Sequence, residues 1–428
     1  MRRTTILAAA ILAAAMFAQA EDWPKWRGPR GDGISMEKNL ATQWPKEGPK
    51  RLWSLPIGTG YTSPVAVEGI VYAFGQMNRP AAAAASAPQG QPGAPMRKTL
   101  QGVLTAIRAA SGEIVWQKSY PAPMNVDHPG MRATPTIEGD RIYTFGVGGD
   151  LVAWNRSDGA IIWRCNVLQE THSQPIRWGC ASSAVIDGQR IYVQCGTGGP
   201  TAVAVDKDTG KILWKSQAQS DAGYSTIEPV ASEKEKMLLV LGGDHFIGMD
   251  TDGGKTLWSI PFETEYKINA CTPLVHEDRV LLINEYKQGK TLMLQLRGRQ
   301  EPQKVWEDTE LRSRTGTPIL EGDNFYINNR GTIECRRWAD GNAVWRCQDK
   351  ALDLGPVGGP LVRAGELMIA YSEHGRVSLT KMTPAGCELR GQVTLFDEGE
   401  TWATPLIYGG RLYVRGNNDL VCLDIAAK

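Results

Sequence analysis

The stretch Thr209-Gly210-Lys211-Ile212-Leu213-Trp214 decides the fold, because the chain repeats its pattern along most of its length. A turn signal, two apolar residues and a tryptophan recur as Ser111-Gly112-Glu113-Ile114-Val115-Trp116 and Asp158-Gly159-Ala160-Ile161-Ile162-Trp163. Further copies are Gly253-Gly254-Lys255-Thr256-Leu257-Trp258 and Asp340-Gly341-Asn342-Ala343-Val344-Trp345, with shorter ones ending at Trp53 and Trp306. Ala385-Gly386-Cys387-Glu388-Leu389-Arg390 has arginine where tryptophan is expected. From Trp53 to Arg390 is 337 residues in seven intervals, a period of about 48. Self-similarity at a fixed period of this size marks a repeat architecture.

Each interval holds a second phrase: Ser/Thr-Pro, two apolar residues, an acidic-Gly turn and an alternating strand. Ser63-Pro64, Thr134-Pro135, Thr272-Pro273, Thr317-Pro318 and Thr404-Pro405 open it, with Gly359-Pro360 as a variant. A third phrase, as in Ala202-Val203-Ala204-Val205-Asp206, leads back to the tryptophan turn. The runs between are short and rich in Val, Ile and Tyr, as strands are. Four short antiparallel strands per 48 residues make one propeller blade. The predicted fold is all-β, an eight-bladed propeller of four-stranded antiparallel blades. Arg390–Lys428 holds only three strands' worth of chain, so the strand ending at Trp53 supplies the fourth and closes the ring without a free edge. Trp53, Trp116, Trp163, Trp214, Trp258, Trp306 and Trp345 are read as packing residues between adjacent blades, their indole N–H groups tying down neighbouring backbone.

The repeated Gly-Lys-Ile-Leu-Trp phrase at 210–214 resembles the tryptophan-docking repeat of the PQQ-like β-propeller family. That family includes quinoprotein alcohol dehydrogenases and BamB-type outer-membrane assembly factors. The run Asp22-Trp23-Pro24-Lys25-Trp26-Arg27-Gly28-Pro29 resembles the opening of secreted members. The resemblance covers nearly all of residues 22–428, and it implies the fold more strongly than any activity, because a fold hosts many functions.

Around the repeats, residues 1–20 read as a signal peptide: Arg2-Arg3, an apolar run over 6–18, and Ala18-Gln19-Ala20 with cleavage after Ala20. Export to the periplasm or the medium is the expectation. No later segment is long and apolar enough to span a bilayer. Residues 21–48 read as an irregular arm across one end of the ring. Residues 49–428 form the single propeller, with Gln76–Gln101 as a disordered insertion in blade one because its Ala/Pro/Gly/Gln composition builds no core. Arg390 marks a remodelled junction at blade seven. Lys+Arg 47 against Asp+Glu 46 excludes a nucleic-acid binder that works through a bulk basic field. A monomer is expected.

All eight cysteines follow the signal. Hairpin arithmetic opposes Cys180 to Cys195 and Cys335 to Cys347, the two disulfide pairings expected. No Cys-x-x-Cys occurs, so zinc ribbons and c-type haem attachment are excluded, and no metal site is expected.

Chemistry is expected at one end of the ring. The residues three before each Pro, or their aligned equivalents, are Tyr61, Arg132, Ala181, Thr226, Ala270, Thr315, Val357 and Trp402. Nearby stand His128, Trp178, Tyr224, Asn269 and Arg314, and Glu228 replaces the usual hydroxyl before Pro229. Aromatics mixed with cations around an axial funnel suit a planar anion, since rings stack and guanidinium groups pair with carboxylates. The binding site expected is Tyr61, His128, Arg132, Trp178, Tyr224, Glu228, Asn269, Arg314 and Trp402, with no catalytic residue assigned. The reading is a non-catalytic envelope protein that binds a protein or glycan through this end and needs no cofactor. The alternative implied by the resemblance is a PQQ- and Ca²⁺-dependent alcohol or polyol dehydrogenase without its own haem. No adjacent cysteine pair is present for the disulfide ring of such enzymes, and carboxylates near the axis are few.

Overall fold

The computed structural model describes residues 20–428 except 81–97, 125, 219, 232–235, 287, 288, 353 and 398. The expected signal peptide, apart from Ala20, lies outside the described residues. Eight antiparallel sheets follow one another along the chain. Blade one comprises Val65–Val67, Ile70–Pro80, Lys98–Arg108 and Ile114–Pro121, in that order from axis to rim. The next five blades repeat this order up to Ala343–Arg346 of blade six. Blade seven (Leu361–Ala364, Leu367–Tyr371, Arg376–Thr383, Gly386–Thr394) gains a fifth, parallel strand from Ile34–Ser35 of the arm. Blade eight takes Arg51–Pro56 as its outer strand, paired antiparallel to Asp419–Asp424. The ring is therefore an eight-bladed β-propeller closed between its two chain ends.

The tryptophan phrase fastens each blade to the next. Indole N–H groups donate across the gap from Trp53 to Ala109 O (3.2 Å), Trp116 to Arg156 O (3.2 Å) and Trp163 to Lys207 O (2.9 Å). The series continues from Trp214 to Thr251 O (3.0 Å), Trp306 to Trp338 O (3.2 Å) and Trp345 to Thr383 O (2.9 Å). Each of these rings up to Trp306, Trp258 apart, lies on the turn glycine of the following blade. A Cβ on Gly210 would stand 2.6 Å from the Trp163 ring, at a φ of +72° that disfavours side chains anyway. Trp258 is the exception: its ring covers Gly248 of its own sheet, and its Nε1 has no partner among the described residues. At Arg390 the missing tryptophan is replaced from the arm. Trp44 is buried, its backbone N–H, not its indole, donates to Arg390 O (2.9 Å), and its Cβ packs on Gly391.

The Ser/Thr-Pro phrase builds a second fastening near the axis. Thr404 N donates to Ser63 Oγ, Ser63 N to Thr134 Oγ1, Thr134 N to Ser183 Oγ and Ser183 N to Thr226 Oγ1. Thr272 N does the same to Thr317 Oγ1. The hydroxyl therefore satisfies a buried amide of the preceding blade, while the following proline starts a strand where no N–H is needed.

Two expectations are corrected. The insertion does not begin at Gln76, since the second and third strands of blade one stay in register from Gln76↔Gly102 out to Pro80↔Lys98. Gln76 is buried and donates to Ala122 O and Met124 O, which ties the hairpin to the segment that follows the outer strand. Residues 81–97 lie outside the described residues. Neither expected disulfide is present, and all eight thiols are free. Blade three pairs Asp187 with Arg190, so Cys195 is not opposite Cys180. The thiols are still neighbours, with Cys180 Sγ donating to Cys195 O at 3.6 Å. In blade six a bulge shifts the ladder, and Cys335 faces Trp345 while Cys347 N bonds to Ile333 O.

Candidate functional site

The arm decides the shape of the axial space. It runs from blade one (Trp23 bridged to Ala66) past blade two (Ile137 N to Pro24 O) and across to blade five, where Trp26 Nε1 donates to Thr272 Oγ1 at 3.1 Å. Arg27, buried, then donates to Thr317 O and Pro318 O of blade six. The arm thereby crosses the axis, and Trp26 becomes part of the lining of a cavity of about 210 Å³.

That cup has layers set by the strand phrase. Thr134, Ser183, Thr226 and Thr272 of the hydroxyl girdle line it, together with Arg132, Ala181, Ala270 and Thr315. Above them, loops contribute Tyr61, His128, Trp178, Tyr224, Tyr286, Arg314, Glu400 and Trp402. Seven of the nine expected binding residues thus come together: Tyr61, His128, Arg132, Trp178, Tyr224, Arg314 and Trp402. Glu228 and Asn269 do not. Blade four uses Thr226 as its girdle hydroxyl, which shifts the phrase by two residues and directs Glu228 towards Arg27 and Lys25 instead. Asn269 is buried, its amide donating to Gly242 O at 2.8 Å and to Phe262 O at 3.2 Å, so it braces a loop. Val357, three before Pro360, also stays out of the lining. Glu400, expected as one of the few carboxylates near the axis though not as a binding residue, does line the cup; Trp26 and Tyr286 were not expected there, because nothing local in sequence reveals where the arm or a blade-five loop will land.

Aromatic faces dominate the mouth. Tyr61 and Trp402 stack with centroids 4.6 Å apart and planes at 25°, and His128 leans on Trp402 at 5.6 Å. On the other side Trp178 meets Tyr224 at 5.9 Å, with the Arg177 guanidinium 4.8 Å from the Trp178 centroid. The two lining arginines differ in charge balance. Arg314 forms an ion pair with Glu285, Nε to Oε2 at 2.9 Å, and lies over Tyr286. Arg132 lies 5.1 Å over Tyr61 and donates to Gly130 O and His128 O; among the described residues no carboxylate pairs with it. Burial pushes its pKa below the usual guanidinium range, with Tyr61 and Tyr224 opposing. Glu400 is held by His128 Nδ1 at 2.8 Å. Among the described residues Trp178 Nε1, Trp402 Nε1 and Thr315 Oγ1 are buried without a hydrogen-bond partner, three polar atoms in the lining left for something else to satisfy.

The cup therefore offers flat apolar faces, a cation without a carboxylate partner and unused donors. A planar anion fits this set. Calcium does not, because a hard cation wants six or more oxygens, whereas the carboxylates here are one on His128 and one on Arg314. Among the described residues no group of three His, Cys, Asp or Glu is placed to hold a metal. None of their helices is long and apolar enough to cross a membrane.

A family model described as outer membrane protein assembly factor BamB matches residues 100–347, more than half of the chain. BamB from Moraxella catarrhalis is structurally similar at TM-score 0.59 and 15% identity, covering 87% of this chain and 96% of that one. A europium-containing methanol dehydrogenase is similar at TM-score 0.64 and 12% identity, covering 92% and 89%. At these identities the likeness shows the fold alone. A glycerol dehydrogenase large subunit from Gluconobacter thailandicus is 34% identical over 100 residues, which is 22% of this chain and 14% of that protein.

Proposed function

The chain belongs to the PQQ-like β-propeller family described by the assembly factor BamB, and from that premise we propose that it is a non-catalytic binding protein of the cell envelope. Its axial cup receives a flat ring that carries negative charge, presented by a small molecule, a glycan or a protein partner. The carrying observation is Arg132, a cation without a carboxylate partner set beside the Tyr61–Trp402 stack. Stacking supplies affinity without fine specificity, and the guanidinium selects an anion. The signal-like segment ending at Ala20 supports export to the periplasm or the medium.

A second reading is kept because one segment resembles a glycerol dehydrogenase subunit. In that reading PQQ itself occupies the cup, stacked by Trp402 and Tyr61 and paired with Arg132. The cofactor would supply the two-electron chemistry of alcohol oxidation, and the chain's own residues would bind and orient it. The donor set lacks a calcium cage, so no catalytic step is assigned here.

PQQ, a planar tricarboxylate, is the probe that separates the readings. Tryptophan fluorescence is titrated with PQQ with and without Ca²⁺, and dye-linked oxidation of glycerol and ethanol is followed in parallel. Saturable, calcium-independent quenching without dye reduction is the expected result. Calcium-dependent binding with alcohol-dependent dye reduction would transfer the protein to the enzyme reading, and a flat titration would remove the planar-anion cup.

A further inference from the structure

The two disulfides that hairpin spacing suggests are absent, yet one other pair of sulfurs meets across a blade boundary. Cys347 follows the outer strand of blade six, two residues after the docking Trp345. The Trp345 indole donates to Thr383 O, the carbonyl that begins the blade-seven hairpin turn. In that hairpin Thr383 pairs with Gly386 and Met382 with Cys387. The tryptophan contact therefore brings the end of one blade onto the outer strand of the next, and Cys347 and Cys387 come together there at the edge of one apolar cluster. Both residues pack at the edge of the same apolar cluster as Trp345 and Leu389. Both are half-buried, hence within reach of a small reagent.

Of the remaining thiols Cys165 is also half-buried, and Cys180, Cys195, Cys271, Cys335 and Cys422 are buried. Cys180 and Cys271 point at backbone carbonyls, Cys335 at Tyr326, and Cys422 at Tyr413. Burial pushes the thiols of Cys165, Cys180, Cys271, Cys335 and Cys422 up. Cys347 moves the other way, to about 7, because the Cys387 thiol and a backbone N–H at Asp349 donate to its sulfur. A thiolate held against a second thiol is the arrangement from which disulfide exchange proceeds.

We propose that Cys347 and Cys387 form an oxidisable dithiol, and that its closure to a disulfide locks blade six to blade seven. The Cys347 thiolate attacks one sulfur of an external disulfide oxidant, such as oxidised glutathione, and one thiolate of that oxidant leaves. The Cys387 sulfur, releasing its proton, then attacks the Cys347 sulfur of the mixed disulfide and expels the second thiolate. Two protein thiols become one disulfide, the oxidant gains two electrons and becomes two thiols, and the protein protons go to the leaving thiolates. The closed loop runs from 347 to 387 and encloses most of blade seven, where the arm's Trp44 stands in for the missing docking tryptophan.

The test incubates the purified reduced protein with oxidised glutathione at neutral pH, quenches it in acid, and alkylates it under denaturing conditions without reductant. Tryptic mass spectrometry then looks for peptide 347–350 joined to peptide 382–390. The expected result is that linked pair, with the thermal midpoint raised by several degrees over the reduced protein. In Cys387→Ser the reaction stops at glutathione on Cys347, while Cys335→Ser leaves the 347–387 link unchanged. Recovery of both peptides singly alkylated from the native protein overturns the proposal. So does a link from Cys347 to any other cysteine, or equal accumulation of the glutathione adduct in the native chain and Cys387→Ser.

Discussion

Arg415 joins the last blade to the first. It is fully buried and donates to Gly60 O, Phe74 O, Gly58 O and Thr62 Oγ1, so its charge is met by oxygens of blade one and the strand leading into it. Replacing it orphans several buried carbonyls together, each costing on the order of 1–3 kcal/mol. Arg415→Met is therefore expected to lower the denaturant-derived stability by about 3–5 kcal/mol; a loss below about 1 kcal/mol would contradict this role. Glu228 makes the opposite prediction for pH. Burial raises its carboxyl from 4.5 to about 7, against the opposing pull of Arg27 and Lys25. The folded state thus keeps a proton that the unfolded chain has released. The stability it contributes is fully present below about pH 4.5 and is lost as pH rises through about 7, by up to about 3 kcal/mol. Glu228→Gln is expected to flatten that part of the stability–pH curve; parallel curves for the two proteins would refute it.

At the level of the element, two short phrases and one arm account for most of the construction. Trp44 fills the slot that Arg390 leaves open, so Trp44→Ala is expected to cost about 3–5 kcal/mol by calorimetry or denaturation. A cost near that of a surface change would mean that the blade-seven junction does not need it. The repeat was legible because a docking tryptophan needs a glycine beneath it and a carbonyl ahead of it, and both needs recur at fixed spacing. The cup was legible for the same reason, since the residue three before the proline, or its equivalent, lines the cup in every blade but the seventh, where Val357 stays out. It failed at Glu228, where blade four moves its girdle hydroxyl to Thr226, and at Asn269, whose amide is consumed by loop carbonyls. The two expected disulfides failed for different reasons: the inner hairpin of blade three pairs Asp187 with Arg190, two residues off the assumed register, and at Cys335/Arg336 turn symmetry ignores the bulge beside the tryptophan. Trp26 was invisible because its place depends on a path across the whole ring.

For the molecule as a whole, closure and the blind cup are two results of the same chain route. The strand Arg51–Pro56 completes blade eight, and the segment before it crosses the axis. A chain lacking residues 21–56 is expected to lose its single sharp unfolding transition, because blade eight then presents an unpaired edge. An unchanged midpoint and slope would show that the ring closes by other means. The charge pattern converges on the cup as well. Two arginines line it, one neutralised by Glu285 and one without a carboxylate partner among the described residues. Calorimetric titration of PQQ into the native protein, Arg132→Met and Arg314→Met compares them directly. The account predicts a loss of tenfold or more for Arg132→Met, as for one charge-assisted contact of about 1.5–3 kcal/mol, and a much smaller change for Arg314→Met. Equal losses in the two variants, or a dominant loss in Arg314→Met, would contradict it.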